Sequence, residues 1–316
     1  VAGEEYWIGT VDPTTKALTN ISQHAAVDYG EYYASKTAAG TDMLGRRVLF
    51  GFLEASVNRQ AAGADRWSTS CGEKLVEPEA IPREVTLRPD GGLGFEPVAE
   101  LQALRVGQSE LSKAAIVLKC GDTVPIGDLG HSFEVRASFT TETTVDGAAA
   151  VAGGGGGVSF GVTVLASASG EEATAIGVSA NRTCFFVDKT RSTQRVATPP
   201  VFKDFITAPL PTAAPGASTS INTPATTNIT AFVDGRVLEA FVEGRAISTL
   251  VYPSLNSSTA LGLFMRCDGN GGGGDTVSQT PSRSIFWGDT VSATASVSAW
   301  ALRAVTVAQH NLIQGQ

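Results

Sequence analysis

The chain has 316 residues, 42% apolar and 17% charged, a balance that suits globular folding around a large core and leaves room for two domains. Its formal net charge is −8, and no basic stripe exists to neutralise phosphates, which argues against a nucleic-acid partner. No apolar run approaches the roughly 20 residues that a membrane-spanning helix needs.

The opening Val1-Ala2-Gly3 lacks a Met and runs directly into strand-like sequence, which reads as the start of a processed or truncated chain. Residues 1–95 hold short alternating runs at 6–11, 32–37, 47–53 and 84–88, separated by Gly, Pro, Asp and Asn turns. That spacing fits blades of short antiparallel strands. Only about two blades fit this length, and an open ring of blades leaves apolar faces wet. The one helical pattern lies at 98–105, directly after Pro97, in a segment 96–114 that reads as a joint.

From 115 to 308 the chain is richer in strands. Alternating runs fall at 115–120, 131–139, 158–165, 173–179, 183–188, 228–233, 237–242, 246–252, 260–265 and 291–303. In the last run Ala293, Ala295, Val297 and Ala299 share one face. Such a series fits two packed antiparallel sheets. The stretch 199–224, rich in Pro, Ser, Thr and Ala, reads as a long surface excursion, and 309–316 as a tail.

The glycine runs 153–157 and 271–274 lack the Lys-Ser/Thr and helix that a phosphate cradle needs, so they read as loops. Cys71, Cys120, Cys184 and Cys267 show no Cys-x-x-Cys spacing, and His24, His131 and His310 are scattered, so no metal or cofactor site is expected. One or two disulfides fit an exported protein, with the pairing open. Asn20, Asn181, Asn228 and Asn256 each begin an Asn-x-Ser/Thr sequon, which points to glycosylation and a secreted, cell-wall or vacuolar location. Asp234 precedes a turn dipeptide, Gly235-Arg236, and Glu239 either pairs with Arg245 or reaches towards the N-terminal segment.

Asp28–Thr37, Arg46–Phe52, Ile81-Pro82-Arg83, Cys184–Thr193 and Phe232–Phe241, in that order, resemble runs of glycoside hydrolase family 32, the invertases, inulinases and fructan exohydrolases. Asp28-Tyr29-Gly30-Glu31-Tyr32-Tyr33-Ala34-Ser35-Lys36-Thr37 is similar to a blade motif of that family, and Arg46-Arg47-Val48-Leu49-Phe50-Gly51-Phe52 to its next strand, with Phe where the family carries Trp. Trp67-Ser68, Ile81-Pro82-Arg83 and the Pro97–Arg105 segment follow in family order. So do Cys184–Thr193, Phe232–Phe241 and Leu250-Val251-Tyr252-Pro253.

The resemblance implies an all-β chain: the last blades of a five-bladed β-propeller over 1–95, then a two-sheet β-sandwich over 115–308. It implies a retaining β-fructofuranosidase that uses no cofactor. The family's acidic motifs (Trp-Met-Asn-Asp-Pro-Asn, Arg-Asp-Pro and Glu-Cys-Pro-Asp) are absent from these residues, so no catalytic residue is expected here. An N-terminal propeller fragment of the same enzyme would be the partner, and sucrose or fructan the substrate, and the chain alone would be inactive. Tyr33, Asp28 and Phe52 are the substrate-binding candidates, each with a packing or turn role as the competing reading. A fructan-binding, lectin-like module and a fructosyltransferase are the alternatives.

Overall fold

The computed structural model describes residues 3–37, 40–53, 78–142, 158–194, 205–211, 225–267 and 292–303. The glycine runs, Glu54, Trp67, Cys71, His310 and most of 199–224 lie outside them. Among the described residues all regular structure is β except a single 3₁₀ turn, Ala99–Leu104, at the place where the helical pattern falls.

Four antiparallel sheets form, and none closes on itself among the described residues. Strands β1 (Glu5–Val11) and β2 (Leu18–Ala26) make a hairpin in which Trp7 stands opposite His24. Strands β3 (Tyr32–Thr37), β4 (Arg47–Leu53), β5 (Arg83–Leu87) and β6 (Leu93–Pro97) follow one another in a four-stranded meander. β3 and β4 have the bounds that their alternation predicts.

After the 3₁₀ turn the chain builds two six-stranded sheets. One has the order β16-β15-β14-β9-β18-β7: Arg245–Leu250, Val237–Val242, Ala225–Asp234, Ser132–Glu142, Ser292–Leu302 and Arg105–Lys119. The other has the order β13-β12-β11-β10-β17-β8: Phe205–Pro209, Cys184–Asp188, Thr174–Ser179, Val158–Ala166, Ala260–Cys267 and Thr123–Asp128. Side chains of both sheets share one apolar core, from Phe133, Val135 and Phe139 on one to Phe160, Val162 and Leu263 on the other. Ala293, Ala295, Val297 and Ala299 all point into it, as the two-residue period requires.

Two expectations need correction. β7 begins at Arg105, so the second half of the segment read as a joint is strand. Its polar first half pairs with β18, where a half-exposed edge needs no apolar alternation. The excursion at 199–224 contains β13, whose Ile206 and Ala208 are buried between exposed neighbours.

A second core joins the smaller sheets to the larger pair. Tyr6 from the hairpin, Tyr32, Leu53 and Phe95 from the meander, and Leu250 and Tyr252 from the end of β16 cluster together. Cys120 and Cys267 form a disulfide between the ends of β7 and β17, 147 residues apart in sequence. Cys184 has no disulfide partner among the described residues.

Candidate functional site

The segment 28–37 carries the family-like motif, and the fold divides it into a buried turn and a partly exposed strand. Asp28 Oδ1 accepts a hydrogen bond from the Gly30 amide at 2.6 Å, which closes a local turn of the kind Asp favours. Gly30 lies flat against β16, where an added Cβ would stand 2.0 Å from the Ser248 carbonyl oxygen. Only glycine permits that approach. It lets the Glu31 amide donate to Ser248 O at 2.7 Å and the Tyr29 amide donate to Ala246 O at 3.0 Å.

Asp28 was a substrate-binding candidate, and the structure places it otherwise. It is 2% exposed. Its Oδ1 also accepts from the Ser248 amide at 3.1 Å, and its Oδ2 from Arg83 Nη1 and Ser248 Oγ, both at 2.9 Å. Both oxygens are engaged inside the protein. The physical reason is Arg83: a fully buried guanidinium must be paired, and Asp28 is one of its partners.

The other partner is Glu239 on β15. Arg83 Nη2 donates to Glu239 Oε2 at 2.9 Å and to Ser248 Oγ at 2.6 Å. Glu239 Oε1 accepts from the Ile81 amide at 2.7 Å. Of the two readings of Glu239, the structure takes the reach towards the N-terminal segment. The Tyr32 ring lies under the guanidinium at 3.9 Å and itself rests on Gly51, where a Cβ would meet the ring at 2.4 Å. Burial pushes the Tyr32 phenol and the Glu239 carboxyl upward, the latter against the pull of Arg83. Burial opposes the charge on Arg83, but Asp28 and Glu239 outweigh it and hold the guanidinium protonated.

A second ionic contact lies alongside. Glu31 Oε2 accepts from the Leu250 amide at 2.8 Å and Thr249 Oγ1 at 3.1 Å, and its Oε1 stands 3.8 Å from the ammonium of the buried Lys189. Lys189 follows β12, so one four-residue turn touches both six-stranded sheets.

Tyr33 points away from this junction. In register it stands opposite Phe52, and a bulge follows at Ala34, whose φ of 54° is left-handed. Bulges re-aim side chains and gather near functional sites. Phe50 and Phe52 share that face and are each 42% exposed. Tyr33 and Phe52 therefore come together on an accessible aromatic surface, while Asp28 is separated from them by the sheet. Asp42 caps its own turn, accepting from the Leu44 and Arg46 amides. Among the described residues no group of three or more His, Cys, Asp or Glu side chains is placed to hold a metal ion.

All four sequon asparagines are exposed. Asn181 and Asn256 lie in turns, and Asn20 and Asn228 on strands; Asn228 Oδ1 accepts from Ser138 Oγ. Asp234 ends β14 as expected and accepts from Ser132 Oγ.

Arg83, Ser248 and Lys189 have no functional signal in the sequence. Arg83 stands in a matched motif, but its partners lie 55 to 165 residues away, beyond any local spacing.

Comparison with known proteins agrees with this architecture. Residues 100–280 match the family model described as glycosyl hydrolases family 32 C terminal, and residues 1–96 match the glycosyl hydrolases family 32 N-terminal domain. Beta-fructofuranosidase 1 of Zea mays is 32% identical over 173 residues, 52% of this chain and 24% of that protein. Acid beta-fructofuranosidase 2, vacuolar, of a Rosa hybrid cultivar is 28% identical over 265 residues, 75% of this chain and 38% of that protein. Among solved structures, Aspergillus kawachii beta-fructofuranosidase complexed with glycerol superposes with a TM-score of 0.67 at 17% identity, covering 94% of this chain and 50% of that one. Fructan 1-exohydrolase IIa from Cichorium intybus gives 0.64 at 20% identity, covering 94% and 54%. The chain thus spans less than half the length of the curated relatives it matches and about half of the solved ones.

Proposed function

Because the chain belongs to glycosyl hydrolase family 32, we propose that it is the C-terminal portion of a retaining β-fructofuranosidase that hydrolyses sucrose or fructans. In this reading the hairpin and the four-stranded meander are the last blades of a five-bladed propeller, and the paired six-stranded sheets are the family's C-terminal sandwich. The catalytic carboxylates come from an N-terminal segment or chain. One attacks the fructosyl anomeric carbon and the other protonates the leaving oxygen, about 5 Å apart as retention requires.

The observation that carries the reading is the pair of uncovered faces. Phe50 and Phe52 lie exposed on the outer side of the meander, and Trp7, Val11 and Ile21 are exposed on the hairpin. Apolar faces of this kind mark a contact surface. The N-terminal part of the propeller would close the ring, covering Phe50 and the exposed hairpin residues. Tyr33 and Phe52 would then stand at its mouth, with Tyr33 offering a hydroxyl and Phe52 a ring edge to the sugar. This chain alone would be inactive. The vacuolar name of the Rosa relative and the four exposed sequons support a glycosylated protein of the secretory route, in the vacuole or cell wall.

Co-expression with the N-terminal half of a plant β-fructofuranosidase, followed by native mass spectrometry, tests the reading. A one-to-one complex is expected. A monodisperse species at the chain's own 32.6 kDa that never takes up the partner would overturn it.

A further inference from the structure

The junction between the meander and β15–β16 contains an imbalance that its role as an anchor does not explain. One guanidinium, Arg83, faces two carboxylates, Asp28 and Glu239, and all three side chains are at most 1% exposed. The neighbouring ion pair is balanced, one Lys189 to one Glu31, and contributes no spare positive charge. Two ionised carboxylates sharing one cation leave a net negative charge out of water, which is costly.

The hydrogen atoms show the same deficit. Ser248 Oγ lies 2.6 Å from Arg83 Nη2, 2.9 Å from Asp28 Oδ2 and 3.2 Å from Glu239 Oε2. The hydroxyl accepts from Arg83 and has one proton to donate. If it gives that proton to Asp28, its contact with an ionised Glu239 is oxygen against oxygen with no hydrogen between them. A proton on Glu239 Oε2 resolves this. Glu239 donates to Ser248 Oγ, Ser248 donates to Asp28 Oδ2, and that oxygen also accepts from Arg83 Nη1.

We propose that Glu239, Ser248 and Asp28 hold one shared proton, so that the junction between the meander and β15–β16 is tightened in acid and loosened as that proton leaves to solvent. The other groups facing the cluster do not remove the need for it. Tyr32 lies against Arg83 with its phenol pushed upward by burial, the Ile81 and Ser248 amides are neutral donors, and Glu4 adds a further negative charge beside Tyr32. The direction agrees with the upward displacement of Glu239 by burial and by Asp28.

The sign follows. A carboxyl with a raised pKa in the folded state contributes its full stability below the ordinary glutamate value, and loses it as pH rises through the folded value. Between the ordinary glutamate value and the folded one, release of one proton on opening lowers the closing equilibrium tenfold per pH unit.

Hydrogen exchange of the Tyr29, Ile81 and Ser248 amides in the full chain, corrected for intrinsic rates, reads this directly. Protection should fall by up to tenfold per pH unit in the wild type and stay flat in Glu239→Gln and in Asp28→Asn, where one carboxylate meets one guanidinium. Infrared difference spectra of the wild type between acid and alkaline solution should show loss of a buried carboxylic carbonyl band, a readout that stands if a variant fails to fold. Protection that rises with pH, a profile shared by wild type and both variants, or a wild-type spectrum without that band would overturn the proposal.

Discussion

Replacing Arg83 by Met tests the anchoring role of the junction. The substitution keeps most of the buried volume and removes the charge. It deletes donors to Asp28 at 2.9 Å, Glu239 at 2.9 Å and Ser248 at 2.6 Å, and leaves two buried carboxylates without a cation. Breaking a buried ion pair from one side costs about 3 to 5 kcal/mol, chiefly through the charge left behind. The cost at neutral pH should lie in that range, and it should shrink in acid, where the orphaned carboxyls take up protons. At a pH where the shared proton has left Glu239, adding Glu239→Gln to Arg83→Met should restore about 1 to 2 kcal/mol by removing one uncompensated charge, a non-additive gain that independent sites do not show. Urea denaturation at neutral and acid pH measures all of this. A loss below about 1 kcal/mol, the range of exposed pairs, or a loss independent of pH, would refute the reasoning.

Gly30→Ala should cost about 3 kcal/mol, at the upper end for overpacking, because the new Cβ meets backbone and not a movable side chain. An unchanged melting temperature would show that the turn does not press on β16. Burial pushes the Glu172 carboxyl up, but hydrogen bonds from Ser254, Ser258 and the Leu255 amide outweigh it and hold the group at about 2, below its ordinary 4.5. Its contribution, on the order of 3 kcal/mol, is complete above the ordinary value and lost as pH falls towards 2. Glu172→Gln should lower stability at neutral pH and flatten the acid limb of a denaturation series. Reducing Cys120–Cys267, which closes a span of 147 residues, should remove up to about 5 kcal/mol in the chain-entropy limit. Paired melts with and without reductant measure it.

The sheets were legible where one face is buried and the other wet. β18 shows this in Ala293, Ala295, Val297 and Ala299, and β4 in Leu49, Gly51 and Leu53 alternating with exposed neighbours. β2 carries Thr, Asn, Ser and Gln, and most of it is exposed, so its pairing with β1 left no apolar period to read. β13 was hidden by its Pro- and Ala-rich surroundings. The site was legible only in part. The resemblance picked out segment 28–37, and the Tyr33–Phe52 pairing follows from the register. It also marked Asp28 for a sugar, because a motif match reports position along the chain and not the face on which a side chain lands. Arg83 decides that face, through partners in β15 and β16 that no local spacing reveals.

Fructose release from sucrose and inulin, measured for the purified chain alone and after assembly with an N-terminal partner bearing the family's acidic motifs, tests the proposed function most directly. No turnover is expected from the chain alone, with hydrolysis appearing on assembly. Sucrose or inulin cleaved by the chain alone would contradict it.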